Sequence, residues 1–289
     1  MRVGLGLAAL LFLLPVFTVT AVRGQRASEQ PEEPIQLLPP GEVDSARTLR
    51  VLDGDTVTEM TFSDYLQGVL RAEMPASFAQ DALCAQTVAA RTYTYYKMQN
   101  GGNHGDTADI CTDHTCCQAF LGKDRAADNW GKNAERYEAK IENAVSATDG
   151  QVMLYGGTPI LAVFHSSSAG ETWNSGQVWA QDLPYLQSVS SPEGEGVPNY
   201  YSTVELTEAE FREKFLAARP EADLSGPASE WIQDPVTDGV HVERITIGGV
   251  PVSGPSVRSI FGLRSASFTA EAGDGKITFY VTGYGHGVG

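Results

Sequence analysis

The sequence predicts an α+β domain of helices packed with mostly antiparallel strands, preceded by a membrane anchor and a tether. Three observations carry that expectation. Segments with helical periodicity come first, short β-rich runs separated by Gly, Pro and Asp come later, and an apolar run followed by a polar stretch opens the chain. Helices leading and strands following argue for α+β rather than an alternating α/β order.

Residues 1–23 form the expected anchor. From Val3 to Val22 the chain has 20 residues without a charge, mostly apolar. At about 1.5 Å per residue that run can span a hydrocarbon core of about 30 Å. A cleavable leader would have a shorter apolar region and a clear small-residue site, so an uncleaved single-pass anchor is the expectation. Arg2 and Arg23 flank the run on both sides and leave orientation unspecified by charge. The large polar domain after one span places the bulk of the chain on the outer, cell-wall side of the membrane. Residues 24–47 are rich in Pro, Glu and Gln, lack apolar periodicity and read as a flexible tether. Residues 48–289 remain, enough for one large domain or two intimate subdomains.

The chain carries 36 acidic against 20 basic residues, a formal charge of −16. Such an excess argues against nucleic acid or anionic headgroups as partners and is compatible with a polysaccharide.

Within the domain, TFSDYLQGVLRAEMP reads as a helix with Ser63 as N-cap and a stripe of Tyr65, Leu66, Val69 and Leu70. Pro75 forbids its continuation. Further helices are expected over 79–98, which is alanine-rich, and over 132–146. Thr207 with Glu210 forms a capping-box pattern opening another. Strands are expected at QVMLY, PILAVFHSS, VERITI, SASFTA and KITFYVTG.

One carboxylate stands apart. Glu73 follows Leu66 by seven residues, Val69 by four and Leu70 by three, which puts it on the apolar face of its helix. It also falls in the last turn, at the negative end of the macrodipole. Desolvation and dipole both disfavour ionisation and should raise its pKa, the condition for a general acid. The competing reading is an ion pair with Arg91 that merely finishes the helix.

YLQGVLRAEMP followed by ALCAQTVAARTY resembles the opening signature of the stage II sporulation protein D family, the SpoIID/LytB domain. Further blocks follow in the family's order: CTDHTCCQAF, FHSSSAGETWNSGQVWAQDLPYLQSV, VRSIFGLRS and GYGHGVG. The resemblance covers residues 48–289. It departs from the family pattern at Cys84, where Lys is usual. The family pattern also runs on past GYGHGVG, where this sequence stops at Gly289, so the resemblance implies a domain truncated at its C-terminus.

The resemblance implies a lytic transglycosylase that cuts between N-acetylmuramic acid and N-acetylglucosamine in peptide-stripped peptidoglycan strands, leaving 1,6-anhydro ends. It implies a role in sporulation and engulfment, beside a cell-wall amidase and other engulfment proteins. The family's catalytic glutamate, in its E-M-P motif, corresponds to Glu73. One carboxylate suffices for that chemistry; an ordinary glycosidase needs a second, for which Asp81 and Glu171 are candidates. Arg91, His165, Ser167, Tyr284 and His286 sit in family blocks and are the candidate substrate-binding residues, each with a structural alternative.

Cys111, Cys116 and Cys117 fall within seven residues, with His114 between them and His104 upstream. Thiolates with imidazole suit zinc. By resemblance to family members that hold zinc in this block, the ligand set is His104, Cys111, Cys116 and Cys117, with His114 as the alternative fourth ligand. A disulfide or simple buried thiols are the competing readings. Four ligands would leave no open position, so such a zinc would be structural. Cys84 reads as a small core residue. A non-enzymatic amidase enhancer that binds wall and amidase is the rival function, and an envelope scaffold a third.

Overall fold

The computed structural model describes residues 35–100, 104–193 and 196–289. The expected anchor, 1–23, and the first part of the expected tether lie outside the described residues. Among those described, no helix is long and apolar enough to cross a membrane.

The remainder of the expected tether is not free. Residues 35–47, including a short helix α1 (Glu42–Ser45), dock onto the domain. The Asn143 side chain accepts from the Leu38 N–H and donates to the Gln36 carbonyl. The Asp149 carboxylate accepts from the Val43 and Asp44 N–H groups. Asp44 is itself buried against Arg91. Order here comes from individual polar contacts, to which composition and periodicity are blind.

Next comes a hairpin, β1 (Thr48–Asp53) and β2 (Thr56–Thr61), turned tightly at Gly54-Asp55. A short β3 (Ile110–Cys111) pairs parallel to β1. Four helices follow the hairpin: α2 (Phe62–Glu73), α3 (Gln80–Gln99), α4 (Lys123–Trp130) and α5 (Ala134–Ala147). The N-cap of α2 is Thr61, whose hydroxyl accepts from the Asp64 N–H; the expected cap, Ser63, is the second residue of the helix and is buried. Met74 is extended (φ −134°, ψ 135°), as the proline after it demands. The stripe of Tyr65, Leu66, Val69 and Leu70 is fully buried with Leu49, Leu83 and Ile141 in the first core. Each such side chain contributes about 1.5–3 kcal/mol by leaving water.

In the second half, short ribbons β4 (Leu154–Tyr155) with β5 (Thr158–Pro159) and β6 (Gly170–Glu171) with β7 (Ser190–Ser191) flank a helical turn α6 (Ser175–Val178). Two antiparallel three-stranded sheets follow. One has β13 (Lys276–Thr282) between β8 (Tyr201–Thr207) and β12 (Phe268–Gly273); the other has β10 (Val242–Ile247) between β9 (Ile232–Thr237) and β11 (Val250–Ser253). Helix α7 (Glu208–Ala218) starts from the expected Thr207/Glu210 capping box, and α8 (Gly254–Phe261) packs beside it. Phe211, Phe215, Phe261 and Phe279 form the centre of this second core. The architecture is therefore α+β with mostly antiparallel strands, as expected. PILAVFHSS is the exception: beyond Pro159 it pairs in no named strand. Its Val163 instead packs on a third cluster built from Trp173, Leu186, Ala266 and Val288.

Candidate active site

Three irregular segments meet the C-terminal end of α2 around a cleft of about 420 Å³. Its walls include Glu73, Tyr93 from α3, His114 and Gln118, and, opposite in sequence, Phe164, Trp179 and His286.

Glu73 is the last residue of α2 and is half-buried. Its Oε1 accepts from the Ala119 N–H at 2.9 Å. Burial raises its pKa above the ordinary carboxylate value; the Ala119 amide and the neighbouring His114 pull the other way without cancelling the rise. Among the described residues lining the cleft, Glu73 is the sole carboxylate, and neither Asp81 nor Glu171 reaches it. The expected rival, an ion pair between Glu73 and Arg91, is not formed: Arg91 pairs with Asp44.

The loop that supplies Ala119 is seated by Gly68. The Leu121 N–H donates to the Gly68 carbonyl, and a Cβ on Gly68 would lie 2.0 Å from the Phe120 ring. A glycine in mid-helix costs about 0.5–1 kcal/mol relative to alanine, and here it permits that close approach.

The far wall is fixed by the terminal segment. Ser167 and Tyr284 exchange backbone hydrogen bonds, and the Trp173 N–H donates to the Gly287 carbonyl. Gly285 has φ +119°, and a Cβ there would meet the His165 Cβ at 2.7 Å, so the Gly-x-Gly-x-Gly pattern is a packing requirement. His286 Nδ1 accepts from the Val288 N–H, and its ring lies 5.1 Å from that of Trp179. Burial, with help from His165 and Arg258, pushes its pKa down to about 4, so it is neutral at physiological pH.

The other expected binding residues stand outside the lining of this cleft. Arg91 is wholly inaccessible, its guanidinium held by Asp44, the Thr148 hydroxyl and the Gln151 carbonyl. It is a structural core ion. Ser167 is buried and its hydroxyl donates to Glu193. Tyr284 is exposed, but its ring stacks under the Arg264 guanidinium at 4.0 Å and does not line the cleft. His165 stands behind His286, its ring 5.8 Å away, and donates from Nδ1 to the Val288 carbonyl. Sequence reasoning missed Tyr93, Phe164 and Trp179. All three lie inside the blocks that carry the family resemblance, as aromatic neighbours of the polar residues expected to bind substrate.

Beside the cleft, His104, Cys111, Cys116 and Cys117 bring one ligand atom each within 4.8 Å of one another. Cys116 Sγ and Cys117 Sγ are 3.5 and 3.6 Å from His104 Nε2 and 3.8 Å from each other. With zinc–sulfur bonds of about 2.3 Å, the edge of a tetrahedral site is about 3.8 Å, so the donor set fits zinc. His114 is exposed and outside this set. Among the described residues the cysteines form no disulfide, and burial pushes the Cys117 thiol up to about 12.

A half-buried carboxyl with a raised pKa in a cleft lined by aromatic rings defines a class: proteins with a candidate general acid in an aromatic-lined cleft. A family model described as Stage II sporulation protein matches residues 53–155. Stage II sporulation protein D of Bacillus subtilis (strain 168) is 34% identical over 235 residues, covering 81% of this chain and 67% of that protein. The Bacillus amyloliquefaciens protein of the same name is 33% identical over the same shares. An amidase enhancer of Bacillus subtilis (strain 168) is 33% identical over 180 residues, 62% of this chain and 21% of that protein. The chain belongs to the stage II sporulation protein D (SpoIID) family.

Proposed function

We propose that this chain is a peptidoglycan lytic transglycosylase acting on peptide-stripped strands, with Glu73 as acid and then base. The observation that carries the reading is Glu73 itself: a carboxyl with a raised pKa, held by the Ala119 amide in a cleft whose described lining offers no other carboxylate. Glu73 protonates the bridging oxygen as the muramic ring gains oxocarbenium character. The resulting carboxylate takes the proton from the ring's own 6-hydroxyl, whose oxygen closes the anhydro bridge. No water and no second carboxylate are consumed. Trp179 and Phe164 supply apolar faces for the sugar rings, and neutral His286 completes the wall without placing a cation beside the developing positive charge.

His104, Cys111, Cys116 and Cys117 would hold zinc in a closed structural site. When bound, the ion would supply rigidity to the loop that presents Ala119 to Glu73. In this reading the domain works on the outer face of the membrane, tethered through residues 1–23, whose apolar run supports that placement.

Relationship to an amidase enhancer favours a second reading, in which the chain binds wall and an amidase without cutting. Incubating peptide-stripped strands with the chain alone separates the two. New strand ends support the transglycosylase; unchanged strands, together with faster release of stem peptides when an amidase is added to intact wall, would replace it with the enhancer.

A further inference from the structure

A second recess, of about 310 Å³, lies at the C-terminal end of α3 and is lined by Tyr96, Asn100, Tyr155, Thr158, Pro159 and Tyr185 among others. Tyr155 is 52% exposed, and its ring lies 5.3 Å from that of Tyr185 at a tilt of 48°. The Tyr185 ring is fixed, because it packs on the third core cluster and its hydroxyl accepts from the Leu161 N–H. An exposed aromatic beside a fixed one, ringed by amide and hydroxyl groups, suits the mixed faces of a pyranose. Its C–H face meets the negative face of a ring, and its hydroxyls meet the polar rim.

The recess is built on the same segments as the cleft. Each of three segments that line the cleft goes on to line the recess: α3 through Tyr93 and then Asn100, the irregular run through Phe164 and then Pro159, and the next loop through Trp179 and then Tyr185. Tyr93 lies in α3 and Asn100, seven residues on, is its C-cap, so the two sites are separated by only about 10 Å along the helix axis.

We propose that this tyrosine-lined recess is a distal saccharide subsite, which holds a sugar of the same glycan strand whose linkage lies at Glu73. The inference rests on the transglycosylase reading and adds a length preference: strands long enough to reach the recess bind more tightly than oligosaccharides that fill the cleft alone.

The test uses the full chain carrying Glu73→Gln to prevent turnover, with peptide-free glycan strands and a short oligosaccharide of the same repeat as probes. Adding Tyr155→Ala is expected to weaken strand binding about fivefold to tenfold, the loss usual for truncating an aromatic anchor. Affinity for the short probe should be unchanged, and Tyr155→Trp should retain strand affinity. An undiminished strand affinity in Tyr155→Ala, or an equal loss for both probes, would overturn the subsite and leave the role of Glu73 standing. Failure of the Glu73→Gln chain to bind either probe would overturn both.

Discussion

The backbone N–H of Ala119 donates to Glu73 Oε1 at 2.9 Å, so the loop carrying Cys111, Cys116 and Cys117 also holds the carboxyl at the cleft. Helix α2 delivers Glu73 to its last turn, and the loop decides where the acid points. Chemistry, pH response and loop integrity are thereby linked.

The pH response follows from burial. A general acid works while protonated, so cleavage should fall as pH rises through the pKa of Glu73, which burial holds above the ordinary value. His114 lowers that pKa, so His114→Gln should move the alkaline limb of kcat/KM a small step to higher pH. A limb that stays put, or moves down, contradicts this electrostatic account.

Zinc should depend on four residues and not on their neighbours. Protein produced with zinc is expected to carry one ion per chain by elemental analysis, and Cys116→Ser or Cys117→Ser should lose it. His114→Gln and Cys84→Ser should keep it, because neither side chain belongs to the donor cluster. Chelation should lower Tm, since the ion stabilises only the folded state. Retention of zinc by Cys116→Ser would remove that residue from the set.

Gly68→Ala tests how tightly the loop is seated. The added methyl would sit 2.0 Å from the Phe120 ring, an overpacking expected to cost about 1–3 kcal/mol. Cleavage should fall further than the shift in urea midpoint explains, because Ala119 moves with Phe120. A variant as stable and active as the parent would show the loop to be free to slide.

Arg91→Ala should act on stability alone. It would strand Asp44, 1% exposed, without its partner, at a cost of about 3–5 kcal/mol in denaturant unfolding. Where the variant remains folded, KM for glycan should match the parent; a raised KM in folded protein would return Arg91 to the site.

Much of this was legible in the sequence because it follows from local rules. Glu73 falls on the face of its apolar stripe, Thr207 with Glu210 forms the cap it predicts, and the cysteine spacing foreshadows a cluster that the fold draws together. What escaped depends on contacts distant in sequence. The first hairpin is the exception, a local feature turning at Gly54-Asp55 between two strands of six residues. The docking of residues 35–47 rests on single side chains, Asn143 and Asp149, that no periodicity encodes. Ser167 and Tyr284 sit in polar motifs, yet the same Gly-rich pattern that brings His286 to the cleft ties them to each other.

The central claim is that Glu73 cuts glycan strands by intramolecular ring closure. Mass spectrometry of peptide-stripped strands incubated with the zinc-supplied chain, beside Glu73→Gln, tests it most directly. The account predicts anhydro-muramic ends with the parent and none with the variant, which should still bind strands. Reducing ends, or anhydro ends that persist in Glu73→Gln, would contradict it.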